Sequence, residues 1–477
     1  MKQRFFDWDI WVLLASFLIS RIILSFFKVE MDYSAIATYW QYLSLDSLEN
    51  NLLNGIWYNH TQPPVFNLFL GGITKLFGTE AASVFPYVFR LITIINVTLL
   101  CKSLQLLVTH PKIPLFVSLL YLLSPATMIL ENELFYTTFM TMLVLVSSYS
   151  LIRFDKERSY LFAFGFMLPL AVACLTRSMY NLSWLIVIAV VSTIYYKKLS
   201  LRMLTIASVM CVLLAGSWYL KNYFIFGKFT TSTWLGMNLA RNVFHDHTFP
   251  DTTKIESIEP FSKISSYQRF ISGNLENKYA GLNDHELLSE FKNGSHVNEN
   301  HINYIEVSEK YADASKAYIK SNPWSFVKNA MQSSVIFFAP ATRYPFAEPQ
   351  SKKIQFYDVA YSFNLTHFAK NKGERRVALV VSALPKIILY VLTFGFVILG
   401  LKRTGRISAV NLFIILTFLY IFSVSTLMEH YENMRFRFEI EPLYLLLLGQ
   451  VLDKKWRTIK SLREKKFYMP TKPSVIP

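Results

Sequence analysis

The chain has 477 residues, 53% of them hydrophobic, 16% aromatic and only 17% charged, with a net charge of +16. Soluble domains carry roughly a quarter charged residues, so the composition excludes an ordinary soluble domain and points to a polytopic membrane protein. The positive charge does not point to nucleic acid: Lys and Arg cluster in short segments between apolar runs and in the tail 453–466, which is the positive-inside distribution.

Lys2 and Arg4 precede an apolar stretch over 8–27 that is long enough to span and lacks a small-residue cleavage site, so it reads as a first span that stays in place. Residues 32–64 are then external. Ile36, Trp40 and Leu43 recur there at helical spacing, which predicts an amphipathic helix in the interface. Pro63-Pro64 opens a segment to Gly78 that is too short to cross comfortably and reads as re-entrant. Spans follow over 85–108, 113–129, 134–152, 160–175, 182–196 and 203–225, with basic turns at His110-Pro111-Lys112, Arg153 to Arg158 and Lys197-Lys198 marking the cytoplasmic side.

Residues 226–376 change character and form one large external, α-rich region in which 324–339 lies against the membrane without crossing. Residues 377–452 return to membrane helices, and 453–477 form a basic cytoplasmic tail that lies against anionic membrane lipids. The expected architecture is all-α with about ten transmembrane helices and both termini cytoplasmic. Residues 1–225 form an N-terminal membrane module that includes the first external loop. Cys101, Cys174 and Cys211 fall inside apolar runs and predict no disulfide framework. No internal repeat supports an inverted-repeat transporter.

This topology puts ionisable groups at the outer ends of spans: Asp32, His60, Arg90, Glu131, Glu133, Arg177, Lys221, and the run Glu429 to Glu439 with Arg435 and Arg437. A charge at membrane depth costs about 2.5 kcal/mol or more, so such groups pair or line a wet cavity. Several keep two readings. Asp32 is a general base or the N-cap of the following helix. Arg90 and Arg177 bind an anion or snorkel to headgroups. His60 is a loop hydrogen-bonder or a substrate contact, and Glu429, Glu432, Arg435 and Arg437 pair with one another or face a ligand. His245 and His247 have metal-like spacing but no third ligand, so no metal site is assigned.

Sugar transfer from a lipid phosphate accounts for this inventory. The phosphate leaving group needs cations at span ends. An inverting transfer needs a carboxylate to take the acceptor hydroxyl proton, worth roughly 10²–10⁴-fold. The carrier needs a groove in the membrane. A polysaccharide polymerase or ligase, expected to carry its key Arg and His in the large external loop, is the alternative, followed by a lipid-linked sugar transporter.

The ordered motifs carry a family resemblance. Met31-Asp32-Tyr33 follows the first span. Gln62-Pro63-Pro64 and Leu76-Phe77-Gly78 bound the next segment, and Ser124-Pro125 precedes Glu131-Asn132-Glu133-Leu134-Phe135-Tyr136. Trp218-Tyr219-Leu220-Lys221-Asn222 leads to Phe226-Gly227, and Glu432 to Pro442 closes the outer side. Over most of its membrane part the chain resembles the protein mannosyltransferase and aminoarabinose transferase branch of the GT-C glycosyltransferases. Tyr33 stands where many members have a second acid, Gln62 where they have Lys or Tyr, and Lys221 where Arg is usual.

The resemblance implies a polyprenyl-phosphate sugar donor and a glycan, lipid or protein acceptor on the external face. It implies Asp32 and Glu131 as the catalytic acids, with His60, Gln62, Arg90, Glu133, Arg177, Lys221, Arg435 and Arg437 around the substrates. No cofactor is required, although a divalent metal is compatible with the acids. The implied location is the bacterial inner membrane, or the endoplasmic reticulum in a eukaryote.

Overall fold

A computed structural model describes residues 8–39, 41–197, 199–244, 278–279, 281, 285–289, 291–292 and 296–467. Among these the fold is helical apart from one two-residue antiparallel pairing of Phe291–Lys292 with His296–Val297. Trp40, His245 and His247 lie outside the described residues.

Six helical segments have the length and composition of a membrane span: Trp8–Phe26, Pro64–Leu107, Thr137–Glu157, Ser200–Phe226, Lys372–Lys402 and Ala409–Met428. The apolar helices Ile113–Leu122, Tyr160–Cys174 and Leu182–Tyr195 are shorter than a full crossing. In the last helix, Glu441–Phe467, the apolar part is followed by a charged half, so length and composition alone do not mark it as a span. The protein is thus an integral membrane protein; among the described residues six helices carry the spanning signature and four expected spans do not.

The basic turns gather at one end. Gln105 donates to Asp9 (2.9 Å), Lys156 to the Leu106 carbonyl (3.2 Å), Tyr196 to Asp155 (2.5 Å) and Tyr195 to the Ile407 carbonyl (2.8 Å). Asp453 of the last helix accepts from the backbone N–H groups of Thr109 (3.1 Å) and His110 (2.9 Å). These bonds bring together four connections with the start of the first helix and the middle of the last, which fits the alternation read from their charge.

Two glycines shape the other end. Gly78 adopts φ +50, a left-handed conformation that glycine takes at no steric cost. The chain folds back there, so Phe69 of helix Pro64–Phe77 lies against Phe85 (6.5 Å) and Phe89 (6.1 Å) of helix Ala81–Leu107. Gly236 of helix Leu235–Phe244 lies against helix Tyr304–Ser321, where a Cβ would sit 1.8 Å from the Ser308 carbonyl oxygen. Its N–H donates to Ser308 Oγ (3.0 Å).

The expected amphipathic helix of the first loop is broken into three short helices, Ala35–Thr38, Leu45–Glu49 and Leu52–Tyr58. Tyr39 leaves the first in an extended conformation, and Ser44 starts the second by accepting from Ser47 N–H (3.1 Å). Aromatic packing overrides the periodicity: Tyr39 and Tyr42 pack on Phe135, and Ile36 and Leu43 are buried in protein rather than facing lipid. Helix Pro323–Phe338 packs its end on the bundle through Phe337, which meets Phe418 (5.9 Å) and Phe422 (5.1 Å) edge-on.

Lys316 is exposed on helix Tyr304–Ser321, Ser461 is exposed on the last helix, and all three native cysteines are buried. In intact cells an impermeant thiol reagent should therefore label Lys316→Cys and spare Ser461→Cys until the membrane is permeabilised. The opposite pattern would invert the proposed sidedness.

Candidate functional site

A cavity of about 620 Å³ opens at the end of the bundle opposite the basic turns. Its polar wall includes Gln41, Gln62, Arg177, Asn238, Arg241, Glu429, Glu432 and Arg435, while Leu182, Ile186, Val424 and Met428 supply an apolar wall. The polar residues belong mainly to loops and short helices. The apolar ones lie on helices Leu182–Tyr195 and Ala409–Met428, so two apolar helices wall one side of the cavity.

The sequence explains how these side chains arrive. Pro64 at the first helical position has no N–H to satisfy, and the next N–H, of Val65, donates to the Leu175 carbonyl (2.8 Å). The start of that helix is thereby fixed beside the exit of helix Tyr160–Cys174, which brings Gln62 and Arg177 to one wall. Asn67, one turn into the helix, accepts from Leu43 N–H (3.0 Å) and donates to the Gln41 carbonyl (3.3 Å). That holds Gln41 at the cavity. Asn242 donates to the Thr426 and Leu427 carbonyls (both 2.9 Å), satisfying the open end of helix Ala409–Met428 and setting Arg241 against Glu429.

Three arginines and three glutamates meet here, all buried. Arg177 pairs with Glu439, which also accepts from the Tyr180 hydroxyl (3.2 Å). Arg435 pairs with Glu432 and lies over the rings of Phe135 (4.3 Å), Tyr344 (4.9 Å) and Tyr136 (5.2 Å). Arg241 reaches Glu429 (3.3 Å) and Glu432 (3.6 Å). Tyr431, between the two acids, holds φ +83, a left-handed conformation that costs of order 1–3 kcal/mol in a non-glycine residue and that the surrounding pairs maintain.

Burial pushes Glu429 up to about 7 against the pull of Arg241, with repulsion from Glu432 adding to the rise. Burial would lift Glu432 too, but Arg435 and then Arg241 outweigh it and hold that carboxyl below the usual range.

Among the residues singled out from sequence, the cavity brings together Gln62, Arg177, Glu429, Glu432 and Arg435. The others lie elsewhere. Glu131 is fully buried in a two-pronged pair with Arg21 of the first helix (2.8 and 2.7 Å). His60 bridges Thr233 Oγ1 (2.8 Å) and the Asn300 carbonyl (3.0 Å), pinning the first loop to the region 226–376. Burial, with nearby Lys221 opposing the proton further, pushes its pKa down to about 3, so its ring is neutral.

Lys221 donates to the carbonyls of Trp57 (3.0 Å) and Asn59 (2.9 Å) and lies over Trp218. Arg437 points away from the cavity, donating to the Phe337 carbonyl (2.9 Å) and pairing with Glu441. Arg90 lies over Tyr87 within helix Ala81–Leu107, outside the cavity wall.

Asp32 and Glu133 form a separate acidic pair off the cavity wall. Asp32 is exposed and accepts from Ser34 N–H (2.9 Å) and Ser34 Oγ (2.6 Å). This is a local turn, and Ser34 rather than Asp32 occupies the N-cap position. Burial, and then the charge of Asp32, pushes Glu133 up to about 8, so it keeps its proton at neutral pH. Among the described residues no three His, Cys, Asp or Glu side chains gather as metal ligands.

Sequence reasoning missed Arg241, Asn238 and the Asn181 to Ser183 turn. The signal for Arg241 was a cation among apolar residues in Leu235–Phe244, a helix with one strongly apolar face, but nothing local indicates that Glu429 lies opposite.

No protein-family model matches the chain. No curated protein matches it. Among solved structures, one match is the crystal structure of ArnT from Cupriavidus metallidurans bound to undecaprenyl phosphate, with 12% sequence identity, 92% of this chain and 77% of that chain covered, and a TM-score of 0.31.

The burial of the Arg21–Glu131 pair generates a stability prediction. Glu131→Gln leaves the Arg21 guanidinium buried without its counter-charge and should cost about 3–5 kcal/mol, whereas Arg21→Met combined with Glu131→Leu should recover most of the loss. Thermal unfolding of the purified variants measures both. Wild-type stability in Glu131→Gln would show that the carboxylate is not held for structure.

Proposed function

We propose that the protein is a membrane glycosyltransferase that takes a sugar from a polyprenyl-phosphate carrier and passes it to an acceptor on the external face. The observation that carries this reading is one cavity with two chemistries. Three buried arginines converge on its polar wall, and its apolar wall is built from two membrane helices. A ligand that fills both walls has an anionic head and a long apolar tail, and its head sits at the depth where the spanning helices end.

In this reading Arg177, Arg241 and Arg435 hold the phosphate through charge-assisted hydrogen bonds and stabilise the negative charge that develops as the sugar leaves. Gln41, Gln62, Asn238 and the hydroxyls of Ser178, Ser183 and Thr231 face the sugar with neutral donors and acceptors. The prenyl chain lies along Leu182, Ile186, Val424 and Met428. The sugar extends from the cavity toward the first loop, where exposed Asp32 takes the proton of the acceptor hydroxyl and Glu133 lies near enough to feel its charge. Glu131, Lys221, His60 and Arg437 hold the scaffold. The donor sugar enters from the membrane side and the acceptor from the aqueous side.

The test separates binding from chemistry. A charge-assisted hydrogen bond is worth about 1.5–3 kcal/mol, so Arg241→Gln and Arg435→Gln should each weaken binding of a polyprenyl monophosphate to the purified protein by roughly 10- to 150-fold. Asp32→Asn should bind normally and lower transfer by roughly 10²–10⁴-fold. Transfer is read from the masses of glycolipids and surface glycans in cells carrying each variant. Unchanged phosphate affinity in both arginine variants would remove the cavity from this role.

A further inference from the structure

Among the described residues, and with the carboxylates ionised, the charges on and just behind the cavity wall balance. Arg177, Arg241 and Arg435 are matched by Glu429, Glu432 and Glu439, each arginine within 4.0 Å of at least one of these carboxylates. A polyprenyl sugar phosphodiester brings one more negative charge into this buried cluster. An uncompensated buried charge costs several kcal/mol, so the cluster must shed a negative charge or gain a positive one.

The three carboxylates are not equally committed. Glu439 holds Arg177 and the Tyr180 hydroxyl, with Arg435 at 4.0 Å. Glu432 holds Arg435 directly and shares Arg241. Among the described residues Glu429 has the longer contact to Arg241 (3.3 Å) and the N–H of His430 (2.9 Å). Among the described residues the groups around Glu429 are Arg241 from helix Leu235–Phe244 and Glu432, Arg435 and His430 from its own turn. The His430 ring is hydrogen-bonded to Ser333 of helix Pro323–Phe338 (3.1 Å).

We infer that Glu429 is a positioning residue that takes up one proton as the donor phosphate binds, releasing Arg241 from its carboxylate so that the guanidinium turns to the phosphate. This rests on reading the cavity as the donor's phosphate site. The balance is complete: the diester adds −1, and the proton from solvent adds +1 on the Glu429 carboxyl. The near-neutral position of Glu429 fits this role, because burial and Glu432 already oppose its charge and a bound phosphate opposes it further.

The sign follows by linkage. Below about pH 7 free Glu429 is already protonated and affinity is independent of pH. Above it each binding event must draw a proton from solvent, so affinity falls as pH rises.

The test uses farnesyl methyl phosphate, a diester whose charge stays at −1, and the full-length protein in nanodiscs. Its Kd should rise about tenfold per pH unit between pH 7 and 9, the slope of one linked proton. Calorimetry at pH 8 in two buffers of different ionisation enthalpy should report uptake of close to one proton on the wild-type protein, independently of any variant. Glu429→Gln, a neutral isostere, should show a flat Kd at the wild-type low-pH value.

A flat wild-type Kd with no proton uptake, or the wild-type slope persisting in Glu429→Gln, would overturn the role of Glu429 and leave the phosphate site standing. No binding of the diester at any pH would overturn the phosphate reading and this inference with it.

Discussion

Charge neutrality at the buried outer end of the bundle is the constraint on which the rest depends. The short turn from Glu429 to Glu439 brings three carboxylates into a region where an unpaired charge costs several kcal/mol. Two of their three partners come from distant parts of the chain. Arg177 arrives from the exit of helix Tyr160–Cys174, Arg241 from helix Leu235–Phe244, and Arg435 from the turn itself. Each pair therefore fixes an element as well as a charge. Arg437, two residues after Arg435, is directed to the opposite side, where it ties the turn to the carbonyls of Phe337 and Ala339.

Neutral amides carry out the remaining positioning. Asn59 accepts from the N–H groups of Thr61 and Gln62, and Asn300 accepts from His60 N–H while donating to the Tyr58 carbonyl. Asn433 donates to the Ser425 and Glu429 carbonyls, closing the end of helix Ala409–Met428 onto the turn that follows it. An amide can satisfy an orphaned backbone group without bringing a charge, which is what a polar scaffold beside an already charged cluster requires. The cavity is thus held by ion pairs on its wall and by amides behind it, with rigid helices on the membrane side.

The sequence carried different parts of this with different clarity. Gln62-Pro63-Pro64 marked a real junction because proline fixes the backbone and removes a donor, so its effect is local. Arg177 and Arg435 were identifiable because a cation at the end of an apolar run must find a partner. Glu131 and Lys221 gave the same signal, yet one is closed on Arg21 and the other on two backbone carbonyls. An ionisable residue at a span end announces that a partner exists but does not name it. The helical spacing of Ile36 and Leu43 misled for a related reason: the rings of Tyr39, Tyr42 and Phe135 pack together and break the segment into short helices.

What the sequence alone determined is the class: apolar length sets which helices can span, and the basic turns between them gather at one end, because both depend on composition along a single segment. The tertiary structure alone decided the site. Whether a buried carboxylate serves a scaffold or a cavity depends on which cation lies within about 4 Å of it, and at separations such as 188 residues between Arg241 and Glu429 only the folded chain fixes that distance.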